Sequence, residues 1–200
     1  MKRPPAPVSR PVGLTIAGSD SGGGAGIQAD LKTMEAHGVF GTSVITAVTA
    51  QNTTGVESSH ILPPETVSSQ LAAVVSDFDV QAVKTGMLGT EELITTVTDR
   101  ISSLDAPLVV DPVMVAASGD RLLDAGAEEA YQDLIAEATL VTPNTDEAAV
   151  LTGLEPETVQ EAVQVGDALL ELGAETALIK GGHMTGDIVQ DVLVEPDGHR

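Results

Sequence analysis

The residues of this sequence best equipped for chemistry are a glycine loop after the first apolar run, Gln51, Asp111, the pair Asn144 and Glu147, and Lys180. Asp111 precedes a proline, Asn144 and Glu147 stand in an Asn-x-x-Glu spacing, and Lys180 opens Lys-Gly-Gly-His. Oxygen ligands of this kind suit magnesium, often through water. A lysine offsets phosphate charge as a point cation. Together they are the parts of a magnesium–nucleotide site outside the P-loop class, where phosphoryl transfer rests on positioning and electrostatics. Gln51 offers a donor and an acceptor on one amide, the pattern that pairs with an aminopyrimidine edge. Each residue alone has a duller reading: Asp111 as a turn former, Asn144 as a helix cap, Lys180 as a solvated cation.

The glycine loop, Gly18 to Asp30, reads Gly-Ser-Asp-Ser-Gly-Gly-Gly-Ala-Gly-Ile-Gln-Ala-Asp. So many glycines suit a sharp turn or a backbone lying against a ligand better than a helix or strand interior. A strand, a glycine turn and a helix N-terminus in succession leave N–H groups facing the turn, a place for an anion or a polar ligand edge. A P-loop would need Gly-Lys-Ser/Thr, and the first lysine after the loop is Lys32, inside the helix, so that reading fails. Gly24 to Ala29 does fit the dinucleotide pattern Gly-x-Gly-x-x-Ala. That pattern also calls for an acidic residue at the end of the next strand, where Thr49 to Thr54 carries none. A tight structural turn stays open as an alternative.

Hydrophobic periodicity supplies the elements that must position these groups. Strands are expected over 12–17, 40–49, 56–62, 82–84, 108–110, 140–141 and 177–179, with a β-ribbon beginning over 188–195. Helices are expected over 27–37, from Pro63-Pro64 to Phe78, and over 91–104, 127–137, 146–152 and 156–172. Strands alternating with helices imply a mainly parallel sheet covered on both faces. In such sheets ligands sit at the carboxyl ends of the strands. Gly18, Gln51, Met87, Asp111, Asn144 and Lys180 all fall there, and this convergence is the main argument for an active site.

Composition narrows the partners. The chain has 200 residues, 42% hydrophobic and 2% aromatic, so its core is aliphatic and it lacks the rings of a base-stacking platform. A net charge of −21 argues against nucleic acid and anionic membranes. The absence of cysteine removes disulfides and thiolate metal sites. No apolar run approaches the ~20 residues of a membrane span. Residues 1–11 read as a basic, proline-rich tail without the apolar region of a signal peptide, so cytoplasm is expected. The acidity reads either as a solvated face or as adaptation to high salt. With four lysines in all, one kept in a glycine-flanked loop, Lys180, stands out.

These residues carry a family resemblance. Residues 15–32, 43–53, 84–88, 110–114, 142–144 with Glu147-Ala148, and 180–183 resemble the hydroxymethylpyrimidine/phosphomethylpyrimidine kinases of thiamine biosynthesis, in the ribokinase-like superfamily. The resemblance runs from Val12 to Arg200. It implies a three-layer α/β/α sandwich with a mainly parallel sheet and a small β-ribbon lid, over residues 12–200. It also implies transfer of the ATP γ-phosphoryl group to 4-amino-5-hydroxymethyl-2-methylpyrimidine and then to its monophosphate. Carried over by position, Gly18, Asp30, Gln51, Met87 and Val113 form the pyrimidine pocket. Asp111, Asn144 and Glu147 serve Mg2+ and the phosphates, with Asp111, Asn144 and Lys180 meeting the nucleotide. The ribbon strands around Val44 and Val56 are expected to cover the substrate and to supply a homodimer contact. The family's anion-hole turn, Gly-Thr-Gly-Cys-Thr, has no counterpart in these 200 residues. The expectation is therefore that the chain alone binds ATP poorly and turns over slowly, if at all. Rival readings are a pyridoxal kinase of the same fold and a non-catalytic pyrimidine-binding or regulatory domain.

Overall fold

The computed structural model describes residues 9–114, 127–182 and 188–200. Most of the expected N-terminal tail, and His183 of the lysine–glycine motif, lie outside the described residues. Nine strands among the described residues form one sheet in the order β3-β2-β1-β4-β5-β6-β7-β8-β9. They are β1 (Val12–Asp20), β2 (Phe40–Asn52), β3 (Gly55–Ile61), β4 (Val80–Thr85), β5 (Leu108–Val110), β6 (Leu140–Val141), β7 (Ala177–Ile179), β8 (Val192–Glu195) and β9 (Gly198–His199). Strands β2, β1, β4, β5, β6 and β7 run parallel, while β3, β8 and β9 are antiparallel additions at the two edges. Helices flank the sheet to give the three-layer sandwich: α1 (Gly26–Ala36), α2 (Pro64–Val75), α3 (Glu91–Ile101), α4 (Ala127–Ala136), α5 (Thr145–Thr152) and α6 (Val159–Glu171).

The core is aliphatic, as the composition requires. Leu14 and Ile16 of β1, Val83 of β4 and Val110 of β5 pack with Val67 and Leu71 of α2, and with Leu93, Ile94 and Val97 of α3. Gly166 lets α6 lie directly on β8, since a Cβ there would sit 2.3 Å from a Val194 methyl.

Several boundaries differ from the periodicity, each for a local reason. Strand β1 continues to Asp20 because its pairing with β2 slips between Ala17 and Ser19 and then resumes, so Gly18 sits at an irregularity and not at the strand's end. Bulges of this kind commonly adjoin binding sites, where they re-aim side chains. Helix α6 starts at Val159 because Thr158 and Glu161 form a reciprocal capping box that fixes the entry there. The C-terminal ribbon begins at Val192 and pairs with β7, so it extends the central sheet. The β2–β3 hairpin is likewise the edge of that sheet. Val44 within it is fully buried in the core, so only the hairpin's outer end can cover a ligand.

Candidate active site

The chain departs from β1 to opposite sides, toward β2 and toward β4, which makes β1 the switch point of the sheet. A cavity of about 560 Å3 opens at the carboxyl ends of these strands. Its volume falls within the usual range of small-molecule sites. Gly18, Asp30, Gln51, Met87, Asp111 and Val113 all line it. Thr53, Thr54, Gly55 and Val56, at the tip of the β2–β3 hairpin, form its roof.

The glycine loop is built around its own anion. Asp20 accepts hydrogen bonds from the backbone N–H of Gly22 at Oδ1 (2.7 Å) and from Gly24 and Ala25 at Oδ2 (both 2.8 Å). Burial pushes the Asp20 carboxyl up, but the N–H groups of Ala25, Gly22, Gly24 and Gly23 outweigh it and hold it below the usual carboxylate value. Helix α1 has no side-chain cap of the ordinary kind. The Asp20 carboxylate takes up donors just before the helix begins. A phosphate cannot share those three N–H groups with it, which removes the dinucleotide reading on physical grounds. Lys32 serves the same loop, donating to the Gly23 carbonyl at 2.6 Å. Gln28 closes the assembly by accepting from Asp20 N (2.9 Å) and donating to Ser19 Oγ (2.7 Å). Gly26 has φ +53°, and a Cβ there would lie 2.3 Å from the Gly18 carbonyl oxygen. No other residue type fits that contact.

Gln51 is held by its backbone. Ser21 Oγ accepts from Gln51 N (2.8 Å) and donates to Gln51 O (2.7 Å). Thr49 Oγ1 stands 3.2 Å from the amide oxygen but gives its one hydrogen in the shorter bond to Ser19 O (2.9 Å), while Gln51 Nε2 has no hydrogen-bond partner among the described residues. The wall of the cavity therefore carries a positioned amide with a spare donor. Met87 abuts Gly18, where a Cβ would lie 3.2 Å from the methionine methyl.

Charged groups cross the floor of the site in a row. Lys84 donates to both oxygens of Asp30 at 3.1 Å and stands 3.8 Å from Asp111. Asp111 accepts from Lys180 at 3.0 Å, and Lys180 lies 3.8 Å from Glu147. The alignment follows from the sheet. Asp111 N donates to Thr85 O at the end of β4, and Lys180 N donates to Pro143 O beside Asn144. Glu147 is buried. Burial raises its carboxyl above the usual value, opposed by the Asn144 backbone N–H and the Lys180 ammonium. Burial also pushes the Tyr131 phenol well up, helped by the charges of Glu147 and Asp111.

Magnesium fits this set only in an indirect way. Both Asp111 oxygens face lysines, and Asn144 Oδ1 accepts from Glu147 N (2.8 Å) while Glu147 Oε2 accepts from Asn144 N (2.8 Å). That reciprocal capping box realises the plain reading of Asn144 as a helix cap. No group of three His, Cys, Asp or Glu side chains among the described residues could hold a metal. An ion that keeps several waters, as magnesium does, suits carboxylates met through water better than a protein cage.

The structure brings together Gly18, Asp30, Gln51, Met87 and Val113, the residues expected of a pyrimidine pocket, around one cavity and joins them through Asp111 to the Asn144–Glu147–Lys180 corner. Sequence reasoning passed over Asp20, which looks like one more polar loop residue until its three N–H partners are seen. It also passed over Lys84 and Thr15. Lys84 belongs to a strand and seemed to need no further role, although the scarcity of lysines was a usable signal.

Residues 20–200 match the family described as phosphomethylpyrimidine kinase. A hydroxymethylpyrimidine/phosphomethylpyrimidine kinase of Streptomyces coelicolor is 52% identical over 196 residues, covering 98% of this chain and 72% of that protein. The crystal structure of a phosphomethylpyrimidine kinase from Clostridium difficile superposes with a TM-score of 0.89 at 44% identity, over 96% of this chain and 83% of that one. A pyridoxal kinase from Staphylococcus aureus in complex with AMP-PCP and pyridoxal is more distant, at 34% identity and a TM-score of 0.86 over 96% of this chain and 70% of that one.

Proposed function

Because the chain belongs to the phosphomethylpyrimidine kinase family, we propose that it phosphorylates 4-amino-5-hydroxymethyl-2-methylpyrimidine and then its monophosphate, with ATP as donor, in thiamine biosynthesis. The observation that carries this reading is the cavity at the switch point. One of its walls holds an amide with a spare donor, and its floor leads through Asp111 to Lys180. The flat heterocycle lies against the wall that Gly18 and Met87 form where they touch, with Val113 also lining its cavity. Gln51 pairs with the aminopyrimidine edge, and Asp30 faces the ring's polar substituents. This arrangement points the hydroxymethyl group toward Asp111.

The acceptor oxygen then forms a bond to the γ-phosphorus as the bond to the β–γ bridging oxygen breaks. The hydroxyl proton passes to solvent water, and ADP leaves with the electron pair of the broken bond. Lys180 offsets charge on the nucleotide phosphates. Glu147, fixed by Asn144, and Asp111 would hold the Mg2+ that accompanies ATP, and that ion would supply charge neutralisation for the phosphates. Asn144 thus acts through Glu147. A kinase fuelled by ATP fits the cytoplasm, and no helix among the described residues is long and apolar enough to cross a membrane. We further infer a homodimer through β3, an edge strand whose Glu57–His60 face is exposed beside an exposed Val48, and adaptation to high salt from the charge of −21.

Calorimetry with the hydroxymethyl pyrimidine and with pyridoxal tests the substrate. The reading expects the pyrimidine to bind at least 10-fold more tightly. The reverse order would assign the chain to pyridoxal, and heat from neither would end the proposal.

A further inference from the structure

The two transfers assigned above present the site with unlike acceptors, and Lys84 is placed to distinguish them. The first acceptor is a neutral alcohol. The second is a phosphate monoester carrying most of two negative charges near neutral pH. Asp20, Asp30 and Asp111 all line the cavity, so an anionic acceptor meets like charge there. Lys84 is the one cationic side chain among the described residues of the lining, since Lys180 stands behind Asp111. Resting on the functional reading, we propose that Lys84 binds the phosphate of the monophosphate acceptor and so makes the second transfer possible.

The geometry suits a cation that changes partner. Lys84 Nζ lies between the substrate side of the site, at Asp30, and the phosphate side, at Asp111. Its side chain retains a quarter of its exposure and is therefore reachable. Gly86 leaves space beside it, for a Cβ there would come within 3.2 Å of Nζ. Asp30 does not need the lysine constantly, because Thr15 Oγ1 donates to its Oδ2 at 2.6 Å. When Lys84 turns to the acceptor, Asp30 keeps a hydrogen bond. A phosphate oxygen of the acceptor then bonds to the γ-phosphorus while the bond to the β–γ bridging oxygen breaks, and ADP departs with the electron pair. No proton has to be removed, because that oxygen is already ionised. The difficulty of the second step is charge, which is what an ammonium group relieves.

Calorimetry on the whole chain tests this with the pyrimidine alcohol and its monophosphate as the two ligands. Lys84→Gln keeps a donor for Asp30 but no charge, and Lys84→Arg keeps the charge. The expected result is a loss of roughly 10- to 100-fold in monophosphate affinity for Lys84→Gln, the worth of a charge-assisted hydrogen bond. Alcohol affinity should change less than about threefold, and Lys84→Arg should recover most of the loss. An equal loss for both ligands in Lys84→Gln would make Lys84 a support for Asp30 and overturn the proposal. So would unchanged monophosphate binding. If Lys84→Gln does not fold, Lys84→Arg and the unsubstituted chain decide. Monophosphate affinity must fall steeply with added salt in both while alcohol affinity does not, and equal salt response refutes the assignment. Binding of neither compound to the unsubstituted chain would instead remove the functional reading and this proposal with it.

Discussion

Replacing Asp20 by asparagine perturbs the glycine loop with almost no change in shape. The carboxylate now accepts three backbone N–H groups on two oxygens, at 2.7, 2.8 and 2.8 Å. Asparagine has one oxygen, and its most favourable placement keeps the Gly24 and Ala25 bonds while turning the NH2 toward the Gly22 N–H. A hydrogen bond to a charged group contributes about 1.5–3 kcal/mol and a neutral one about 1, so weakening two and losing one sums to roughly 2.5–7 kcal/mol. Gly22 and Gly24 are exposed, and water can replace part of what Gly22 loses. The expected destabilisation is therefore nearer 2 kcal/mol, on the order of the loss of a strong helix cap. A total stability of about 5–15 kcal/mol leaves such a variant folded. Urea unfolding of both proteins measures the difference directly. The pH dependence gives a second check. Asp20 has a folded value below 3.8, so its contribution is fully present above 3.8 and is lost as pH falls through the lower folded value. The gap between the two proteins should hold at neutral pH and close only in strong acid. Equal stability at neutral pH, or a gap that widens on acidification, would refute the account of the loop.

Other outcomes follow from the same contacts. Gly26→Ala forces a Cβ to within 2.3 Å of the Gly18 carbonyl oxygen at φ +53°, and should cost at least about 3 kcal/mol in thermal unfolding; a near-normal melt would show that the loop can yield. Glu147 has a raised carboxyl, so the stability it contributes by holding a proton is lost as pH rises from 4.5 through its folded value. Denaturant midpoints of the unsubstituted chain should fall across that window relative to Glu147→Gln, and parallel curves would contradict this. With a net charge of −21, self-repulsion opposes folding, and added sodium chloride should raise the melting temperature; no response would remove the high-salt inference.

How much of this was legible in the sequence depends on what kind of contact decides each feature. The alternation of β-branched runs with helical periodicity located the central strands and their helices, because burial on both faces leaves a strong pattern, whereas the exposed edge strand β3 was marked by the Thr53-Thr54-Gly55 turn before it. The start of α6 was misplaced by three residues, because the Thr158–Glu161 capping box competes with a proline and acidic residues that would equally suit a first turn. Asp111, Asn144 and Lys180 were found because they end successive strands, and parallel pairing converts that position into proximity. The roles of Asp20 and Lys84 were not legible. Nothing in local spacing says that a loop carboxylate folds back onto its own N–H groups. Nor does it say that a lysine on β4 reaches an aspartate 54 residues away on α1.

The orientation of the heterocycle is the claim on which the rest depends, and a crystal structure with the hydroxymethyl pyrimidine and a non-hydrolysable ATP analogue measures it. The ring should lie against Gly18 and Met87, its amino edge on Gln51 and its hydroxymethyl oxygen directed at Asp111 and the γ-phosphate beside Lys180. A ring bound outside the cavity, or inside it with the hydroxymethyl group turned toward the Thr53–Val56 hairpin, would contradict the account.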